Sequence, residues 1–193
     1  DLNRFYITKP IGNGSFGAVF QVKEIETGQL YAAKIINKTI STDYEHDDDA
    51  LNFFREVKLM SIFNHPSLIK FVGFSPIDFQ GLPYPTTVME FCPNGSLGSI
   101  IELERSGLSP NNWNETKKLI TIYRIAAGLY YMHLNDIIHR DLKPDNILMD
   151  ENMFPKISDF GFSKAYIKDP SIFNEIKERN LQKSLFCQTY AAK

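Results

Sequence analysis

The hydrophobic pattern of the chain changes its period near residues 92–95, and no other sequence feature constrains the fold as much. Before this point, apolar and polar residues alternate in short runs between glycines, which is typical of antiparallel strands joined by tight turns. After it, apolar residues recur every three or four positions, which is typical of amphipathic helices. The sequence therefore predicts an α+β fold with a strand-rich part at residues 1–92 and a mainly helical part at residues 93–193.

Strands are predicted wherever the alternation holds. They are Phe5 to Ile11, Ala18 to Val22, Leu30 to Ile36, Leu68 to Phe74 and Thr86 to Phe91. One helix interrupts them, because apolar residues recur at every third position behind an acidic run that begins at Asp47. The apolar positions of this helix are Leu51, Phe54, Val57 and Met60.

The second part of the chain predicts two helices and two short strands. Ser96 can cap a helix that runs to about Glu104, and a longer helix is predicted over Asn114 to Asn135. The apolar stripe of the longer helix is Leu119, Ile122, Ala126 and Leu129. The short strands are Ile147 to Met149 and Phe154 to Ile157. No clear periodicity marks residues 163–193.

Composition narrows the class of protein. The formal net charge of −2 argues against a nucleic-acid or membrane-surface binder, since such proteins need a cationic excess. No apolar run approaches the roughly 20 residues of a membrane span, and no signal peptide is visible, so we expect a cytoplasmic protein. Cys92 and Cys187 lack the spacing of a zinc site, and both are expected to be unpaired thiols.

A glycine-rich segment lies between the first two predicted strands. Gly12, Gly14 and Gly17 would let backbone amides approach a polyphosphate with no Cβ in the way, although a plain hairpin turn has a similar composition. A strand rather than a helix follows, which argues against a dinucleotide-binding turn and favours a phosphate loop of the kinase type.

A lysine follows inside an otherwise apolar strand. Strand lysines usually face solvent, but Lys34 comes after the glycine loop, with the small Ala32 on the same strand face. Ala32 would admit an adenine ring beside it. Glu56, in the middle of the predicted helix, is the candidate partner that would hold Lys34 against phosphates.

The segment from His139 to Asn146 carries the strongest chemical signal, together with the later Asp159-Phe160-Gly161. Asp141 can accept a hydrogen bond from a substrate hydroxyl, and Lys143 can neutralise charge on a transferred phosphoryl group. Asn146 and Asp159 offer the oxygen ligands that Mg²⁺ prefers. Two aspartates that merely cap turns are the alternative interpretation.

With these motifs in this order, the chain resembles the eukaryotic protein kinase superfamily from its first strand to the activation segment. The resemblance implies a bilobal fold, with an antiparallel N-terminal lobe at residues 1–92 and a partial helical C-terminal lobe at residues 93–193. It implies ATP and Mg²⁺ as cofactors and protein substrates in signalling. The stretch from Leu142 to Asn146 resembles the serine/threonine form of the loop, and two further stretches resemble tyrosine-kinase-like Ser/Thr kinases.

The resemblance also implies a nucleotide site. The residues expected to bind the nucleotide are Ile11, Gly12, Gly14, Gly17, Val19, Ala32, Lys34, Met89, Glu90, Cys92 and Leu148. Among them Met89 is the gatekeeper, and the backbone from Glu90 to Cys92 would bond adenine. The catalytic residues are expected to be Asp141, Lys143, Lys34 and Glu56, with Asn146 and Asp159 as metal ligands. A stack of Met60, Phe71, His139 and Phe160 would couple helix and loop.

The last residues depart from the family pattern. Gln188 stands where glycine is usual, and the helices that normally follow are missing, so we expect a C-terminally truncated domain with an exposed apolar stripe on its long helix. Arg140 would pair with a phosphorylated activation segment, with Ser171, Ser184 or Thr189 as acceptor and Ser184 preferred. The alternative function is a catalytically impaired nucleotide-binding regulatory fragment.

Overall fold

The computed structural model describes residues 1–14, 17–36 and 48–165. The strands are β1 (Phe5–Gly14), β2 (Gly17–Glu24), β3 (Leu30–Ile36), β4 (Phe71–Ser75), β5 (Thr86–Glu90), β6 (Ile137–Ile138), β7 (Ile147–Met149), β8 (Pro155–Ile157) and β9 (Lys164–Ala165). The α-helices are α1 (Asp48–Ile62), α2 (Leu97–Arg105) and α3 (Glu115–Leu134), and short 3₁₀ turns cover Leu2–Arg4 and Pro144–Asn146.

The first five strands form one antiparallel sheet in the order β1-β2-β3-β5-β4. The turn between β2 and β3 depends on Gly28, which has a φ of 72° and donates its N–H to the carbonyl of Glu24 at 2.9 Å. All five predicted strands are present. The sheet and α1 together confirm the small antiparallel lobe expected from the alternating pattern.

The start of β4 was predicted three residues too early, and β1 and β2 are longer than predicted. The strand expected over Leu68 to Phe74 begins only at Phe71, because the backbone before it bonds to β8 instead. Ile157 donates its N–H to the carbonyl of Ser67 at 2.8 Å and accepts from the N–H of Ile69 at 2.9 Å. This short parallel bridge joins the sheet-bearing half of the chain to the helical half.

Both predicted helices of the second half are confirmed with their caps. The Ser96 side chain accepts from the backbone of Ser99, whose hydroxyl accepts in return from the Ser96 N–H, which is a capping box. At α3 the Asn114 side chain accepts from the Lys117 N–H at 2.9 Å. Within the described residues, no helix has the length and apolarity needed to cross a bilayer.

One apolar core runs through both halves. Met60 of α1, Ile69 and Phe160 belong to the same buried cluster as Met132 of α3 and Ile157 of β8. A smaller cluster on the sheet contains Phe5, Val22, Ala33 and Val88. The lobes are therefore in apolar contact beside the cavity described next. The boundary placed between residues 92 and 93 falls in the segment between β5 and α2, and it stays a prediction.

The apolar stripe of α3 is exposed, as expected. Leu119 and Ile122 keep 68% and 65% of their surface, and Ala126 is also exposed, whereas Leu129 is half-buried. The residues of α3 that are buried are Thr121, Gly128 and Met132. The fully buried face of the helix is thus narrow, with Ile125, Leu129 and Tyr131 packing against the core as partly buried residues, while Leu119 and Ile122 stay exposed.

The cap of α2 gives a stability prediction. We expect Ser96→Ala to lower the free energy of unfolding by about 1 kcal/mol, because the first backbone N–H groups of the helix lose their acceptor. Urea unfolding followed by circular dichroism measures the change. Ser61→Ala is the matched control, since Ser61 is exposed near the end of α1 and bonds only the Lys58 carbonyl. Equal stability of the two variants would contradict the capping role.

Candidate active site

A cavity of about 700 Å³ lies between the sheet and the helical half. It collects almost all the residues that the sequence singled out. The predicted residues that line it are Ile11, Gly12, Gly17, Val19, Ala32, Lys34, Glu56, Met89, Glu90, Cys92, Asp141, Lys143, Leu148 and Asp159. Gly14 pairs with Gly17 at the tip of the first hairpin, and Asn146 is buried just behind Asp141.

The glycine segment forms the roof of this cavity. Gly12 pairs with Val19 and Gly14 with Gly17 in the β1–β2 hairpin, whose tip residues Ser15 and Phe16 lie outside the described residues. A Cβ on Gly17 would lie 2.0 Å from the carbonyl oxygen of Ile35, so only glycine fits where β2 approaches β3. The glycine segment thus belongs to an antiparallel β-hairpin, and glycine is sterically required at Gly17, where β2 begins.

Lys34 points into the cavity rather than to solvent. Its Nζ lies 3.2 Å from Oε1 and 3.4 Å from Oε2 of Glu56, which joins β3 to α1. The same Nζ lies 3.7 Å from Oδ1 of Asp159. The two side chains of the first pair keep only 17% and 10% of their surface, so solvent screens this pair less than a surface pair. The predicted partnership of Lys34 and Glu56 is present in the geometry.

Asp141 lies at the other side of the cavity with two donors on one oxygen. Its Oδ2 accepts from Lys143 Nζ at 2.9 Å and from Asn146 Nδ2 at 2.9 Å. The hydrogen bond from Lys143 holds the pKa of Asp141 below its usual value, with a further lowering by Asn146. The same contact raises the pKa of Lys143. Asp141 is therefore a carboxylate at neutral pH, and Lys143 is a cation.

His139 and Ser158 connect this loop to Asp159. The Nδ1 atom of His139 accepts from the Asp141 N–H at 3.3 Å, so Nε2 carries the hydrogen and donates to the Ser158 carbonyl at 2.9 Å. Ser158 in turn donates both its N–H and its hydroxyl to the Asn146 carbonyl. These buried bonds place Asn146 and Asp159 next to each other.

Comparison with known proteins agrees with this geometry. A family model described as the protein kinase domain matches residues 5–192. The chain belongs to the protein kinase family. It is 35% identical over 84% of its length to "Aurora kinase" of Saccharomyces cerevisiae, covering 41% of that protein. It is 37% identical over 87% of its length to "cAMP-dependent protein kinase type 3" of the same yeast, covering 39% of it.

A human relative belongs to the same family. The chain is 34% identical over 86% of its length to human "NUAK family SNF1-like kinase 1", of which it covers 23%. The chain thus spans less than half the length of these curated relatives. The sheet-plus-helix half and the mainly helical half correspond to the two lobes of the kinase fold, with the helical lobe described only in part.

The kinase domain carries the predicted hydrophobic stack. The rings of His139 and Phe160 meet edge to face with centroids 5.4 Å apart, and Met60 and Phe160 are buried in the same cluster against which Phe71 packs. Sequence inspection missed Phe63, whose ring centroid lies 4.9 Å from that of Phe160. Phe63 directly follows the apolar pattern of α1, and nothing in the sequence distinguishes it there from any other residue of the hydrophobic core.

Two residues of the kinase domain adopt left-handed backbone conformations beside the site. Arg140 has a φ of 65° and Asp159 a φ of 63°, a region that costs about 1 kcal/mol or more for a residue with a Cβ. Arg140 donates from Nε to the Phe162 carbonyl at 2.5 Å. The acceptors proposed for regulation, Ser171, Ser184 and Thr189, lie outside the described residues.

The donor set beside Asp141 fits a hard divalent cation. Asn146 directs its amide nitrogen at Asp141, so its amide oxygen is left for another partner, and Asp159 keeps 32% of its side chain exposed. One amide oxygen and one carboxylate are the type of ligand that Mg²⁺ takes together with water and phosphate oxygens. These two residues would hold the metal, and bound Mg²⁺ would supply charge neutralisation.

Cys92 lines the apolar end of the cavity. Burial, followed by the charge of Glu90, raises the pKa of its thiol to about 12. Cys92 is unpaired, as predicted, and it is protonated at neutral pH. It therefore acts there as a small apolar wall residue. Cys187 lies outside the described residues.

The Asp141–Lys143 contact gives a pH prediction. We expect the pKa of Asp141 to rise toward its usual value in Lys143→Met, because the carboxylate loses its strongest donor. The stabilisation from this lowered pKa is present above the unfolded-state pKa and is lost as pH falls through the folded-state pKa. Carboxyl-detected NMR titration of both proteins measures the difference. Lys23→Met, in β2, is the control, and a shift of equal size there would contradict the assignment.

Proposed function

We propose that this domain is a protein serine/threonine kinase that transfers the γ-phosphoryl group of ATP to Ser or Thr hydroxyls of protein substrates. The observation that carries the proposal is the pairing at the two sides of one cavity. Lys34 is held by Glu56 on the side of the sheet, and Asp141 is held ionised by Lys143 on the side of the loop. One ligand placed between them would meet fixed cations and a fixed acceptor.

The apolar end of the cavity suits a purine. Val19 and Ala32 of the sheet and Leu148 of β7 line it from opposite sides, and Met89 lies at its inner wall. The backbone from Glu90 to Cys92 follows β5, where it would offer hydrogen-bonding groups to the edge of adenine. Ile11 would cover the open side. In this assignment the base is bound by apolar contact and backbone polarity, so no side-chain charge is required.

The polar end suits a triphosphate. Amides of the Gly12 to Gly17 hairpin would cover the phosphate oxygens, and Lys34 would neutralise the α- and β-phosphates. Asn146 and Asp159 would bind Mg²⁺, which supplies further neutralisation of phosphate charge when bound. Glu56 would act through Lys34 by holding its ammonium at the phosphate end, where it also lies 3.7 Å from Oδ1 of Asp159.

The position of Asp141 in the cavity suggests how the phosphoryl group would be transferred. A substrate hydroxyl that donates to Asp141 would attack the γ-phosphorus while the bond from that phosphorus to the β–γ bridging oxygen breaks. The hydroxyl proton passes to the Asp141 carboxylate, and ADP leaves. Because the hydrogen bond from Lys143 lowers the pKa of Asp141 and keeps it a carboxylate, Asp141 would accept the hydrogen bond of the hydroxyl and orient it before it takes the proton. Lys143 would neutralise charge on the moving phosphoryl group.

Ser/Thr specificity rests on resemblance and on the relatives. The loop residues Leu142 to Asn146 have the serine/threonine form, and the relatives named above include "cAMP-dependent protein kinase type 3". Peptides that differ only in carrying Ser, Thr or Tyr at one position test this directly. Faster labelling of the Tyr peptide would overturn the specificity while leaving kinase activity in place.

The role of Asp141 predicts a loss of transfer. With radiolabelled ATP, Mg²⁺ and a Ser peptide, we expect Asp141→Asn to lower the rate by about 10²- to 10⁴-fold, since the hydroxyl loses its acceptor. Asp136→Asn is the matched control, because it makes the same substitution in the same loop region at a residue that does not line the cavity, and asparagine tolerates the left-handed φ of Asp136. If wild type and Asp141→Asn are equally inactive while both bind nucleotide, the regulatory alternative is favoured.

The role of Lys34 predicts a different pattern. Lys34→Ala should still bind nucleotide weakly through the apolar end, but the phosphates would be misplaced. We expect the transfer rate to fall by about 10²-fold or more. Equilibrium binding of a fluorescent adenine nucleotide, measured beside the rate, separates the two effects. A variant that loses all binding would contradict the division of the cavity into a base end and a phosphate end.

A further inference from the structure

Glu90, the last residue of β5, uses its two carboxylate oxygens on two different segments. Oε1 accepts from the backbone N–H of Lys70 at 2.6 Å, just before β4. Oε2 lies 3.0 Å from Nζ of Lys156 in β8. The Glu90 side chain is 24% exposed and that of Lys156 only 13%, so both charges lie largely out of solvent. One side chain therefore ties the end of the sheet to a strand of the other lobe.

The backbone around this contact is fixed as well. The Glu90 N–H donates to the Lys70 carbonyl at 2.9 Å, so Glu90 and Lys70 are joined by two hydrogen bonds. The neighbouring Ile69 N–H donates to the carbonyl of Ile157, the residue after Lys156. The Glu90–Lys156 ion pair thus completes a closed path behind the cavity. Backbone hydrogen bonds form its other two non-covalent links, from Ile69 to Ile157 and from Glu90 to Lys70.

Both residues of the ion pair are connected to the cavity, Glu90 directly and Lys156 through its strand neighbour Leu148. Glu90 begins the segment that would bond the base, and Glu90 itself lines the cavity. Lys156 stands opposite Leu148 in the β7–β8 register, and Leu148 forms the floor of the base end. Three residues after Lys156 comes Asp159, at the phosphate end. The strand that Lys156 belongs to therefore leads directly to the proposed metal ligand.

We propose that the Glu90 carboxylate and Lys156 are positioning residues that set the spacing between the base-binding segment and Asp159. This inference rests on the proposed nucleotide site. A ligand that spans both ends must fit this spacing, whereas a ligand that occupies only the base end need not. The pair is therefore expected to act on the phosphorylated part of the ligand without touching it.

The variants isolate the charge. Glu90→Gln keeps an oxygen for the Lys70 N–H but removes the charge that faces Lys156, and Lys156→Met keeps the aliphatic stem. Lys156→Arg restores a cation. Lys70→Met is the matched control, because it removes an exposed positive charge close to Glu90 while keeping the backbone N–H that Glu90 uses.

The measurement compares two ligands on the purified protein by equilibrium binding: adenosine, and ATP with Mg²⁺. For both Glu90→Gln and Lys156→Met we expect about threefold to tenfold weaker binding of ATP with Mg²⁺. For Lys156→Met, whose side chain does not line the cavity, we expect adenosine binding within about twofold of wild type. The double variant should be no weaker than either single variant, because the two substitutions remove the same contact. Lys156→Arg should recover most of the loss, and Lys70→Met should bind both ligands like wild type.

Several results would overturn the inference. Equal weakening of adenosine and ATP in Lys156→Met would mean a purely structural role, and additive losses in the double variant would mean that the two residues act separately. Unchanged ATP binding in both single variants would remove the idea outright. If wild type binds neither ligand, the proposed function itself fails. Circular dichroism confirms folding, and Lys156→Gln replaces Lys156→Met if the latter does not fold.

Discussion

The backbone pairing of Ile157 with the segment before β4 is the interaction on which the arrangement of the site depends. Ile157 is fully buried, and its two hydrogen bonds to Ser67 and Ile69 cross from one half of the chain to the other. Together with the apolar core shared by the two halves, they fix the separation between Lys34 on the sheet and Asp159 after β8. The chain satisfies this requirement with main-chain groups, which are insensitive to most side-chain changes.

Around that fixed backbone, five charged groups of the cavity have opposite partners. Lys34 lies between Glu56 and Asp159, and Lys143 is bonded to Asp141. A partly buried charge without such a partner would be costly. The same pairing also prepares the site, because cations stand ready where phosphate charge would be placed and a carboxylate stands ready for a hydroxyl. In the proposed function, the contacts that pair these charges would thus also position the side chains that meet the nucleotide.

Local sequence signals predicted the secondary-structure elements, and most residues expected at a site line one cavity, whereas no local signal predicted the long-range contacts. The strands and the cap at Ser96 follow from patterns within a few neighbouring positions, and several cavity residues were expected from the resemblance to protein kinases. The departure of Leu68 and Ile69 from the expected strand could not be predicted, because their partner lies near residue 157. The ion pair of Lys156 could not be predicted either, because its partner Glu90 is also far away in the sequence.

The left-handed backbone at Asp159 restricts how this position can change during evolution. Only glycine, asparagine and aspartate adopt that conformation at low cost, so a chain that keeps its fold has few replacements to choose from. Asparagine and glycine both preserve the backbone and both discard the negative charge. Either replacement would therefore remove the proposed metal ligand while leaving the backbone and the cavity in place.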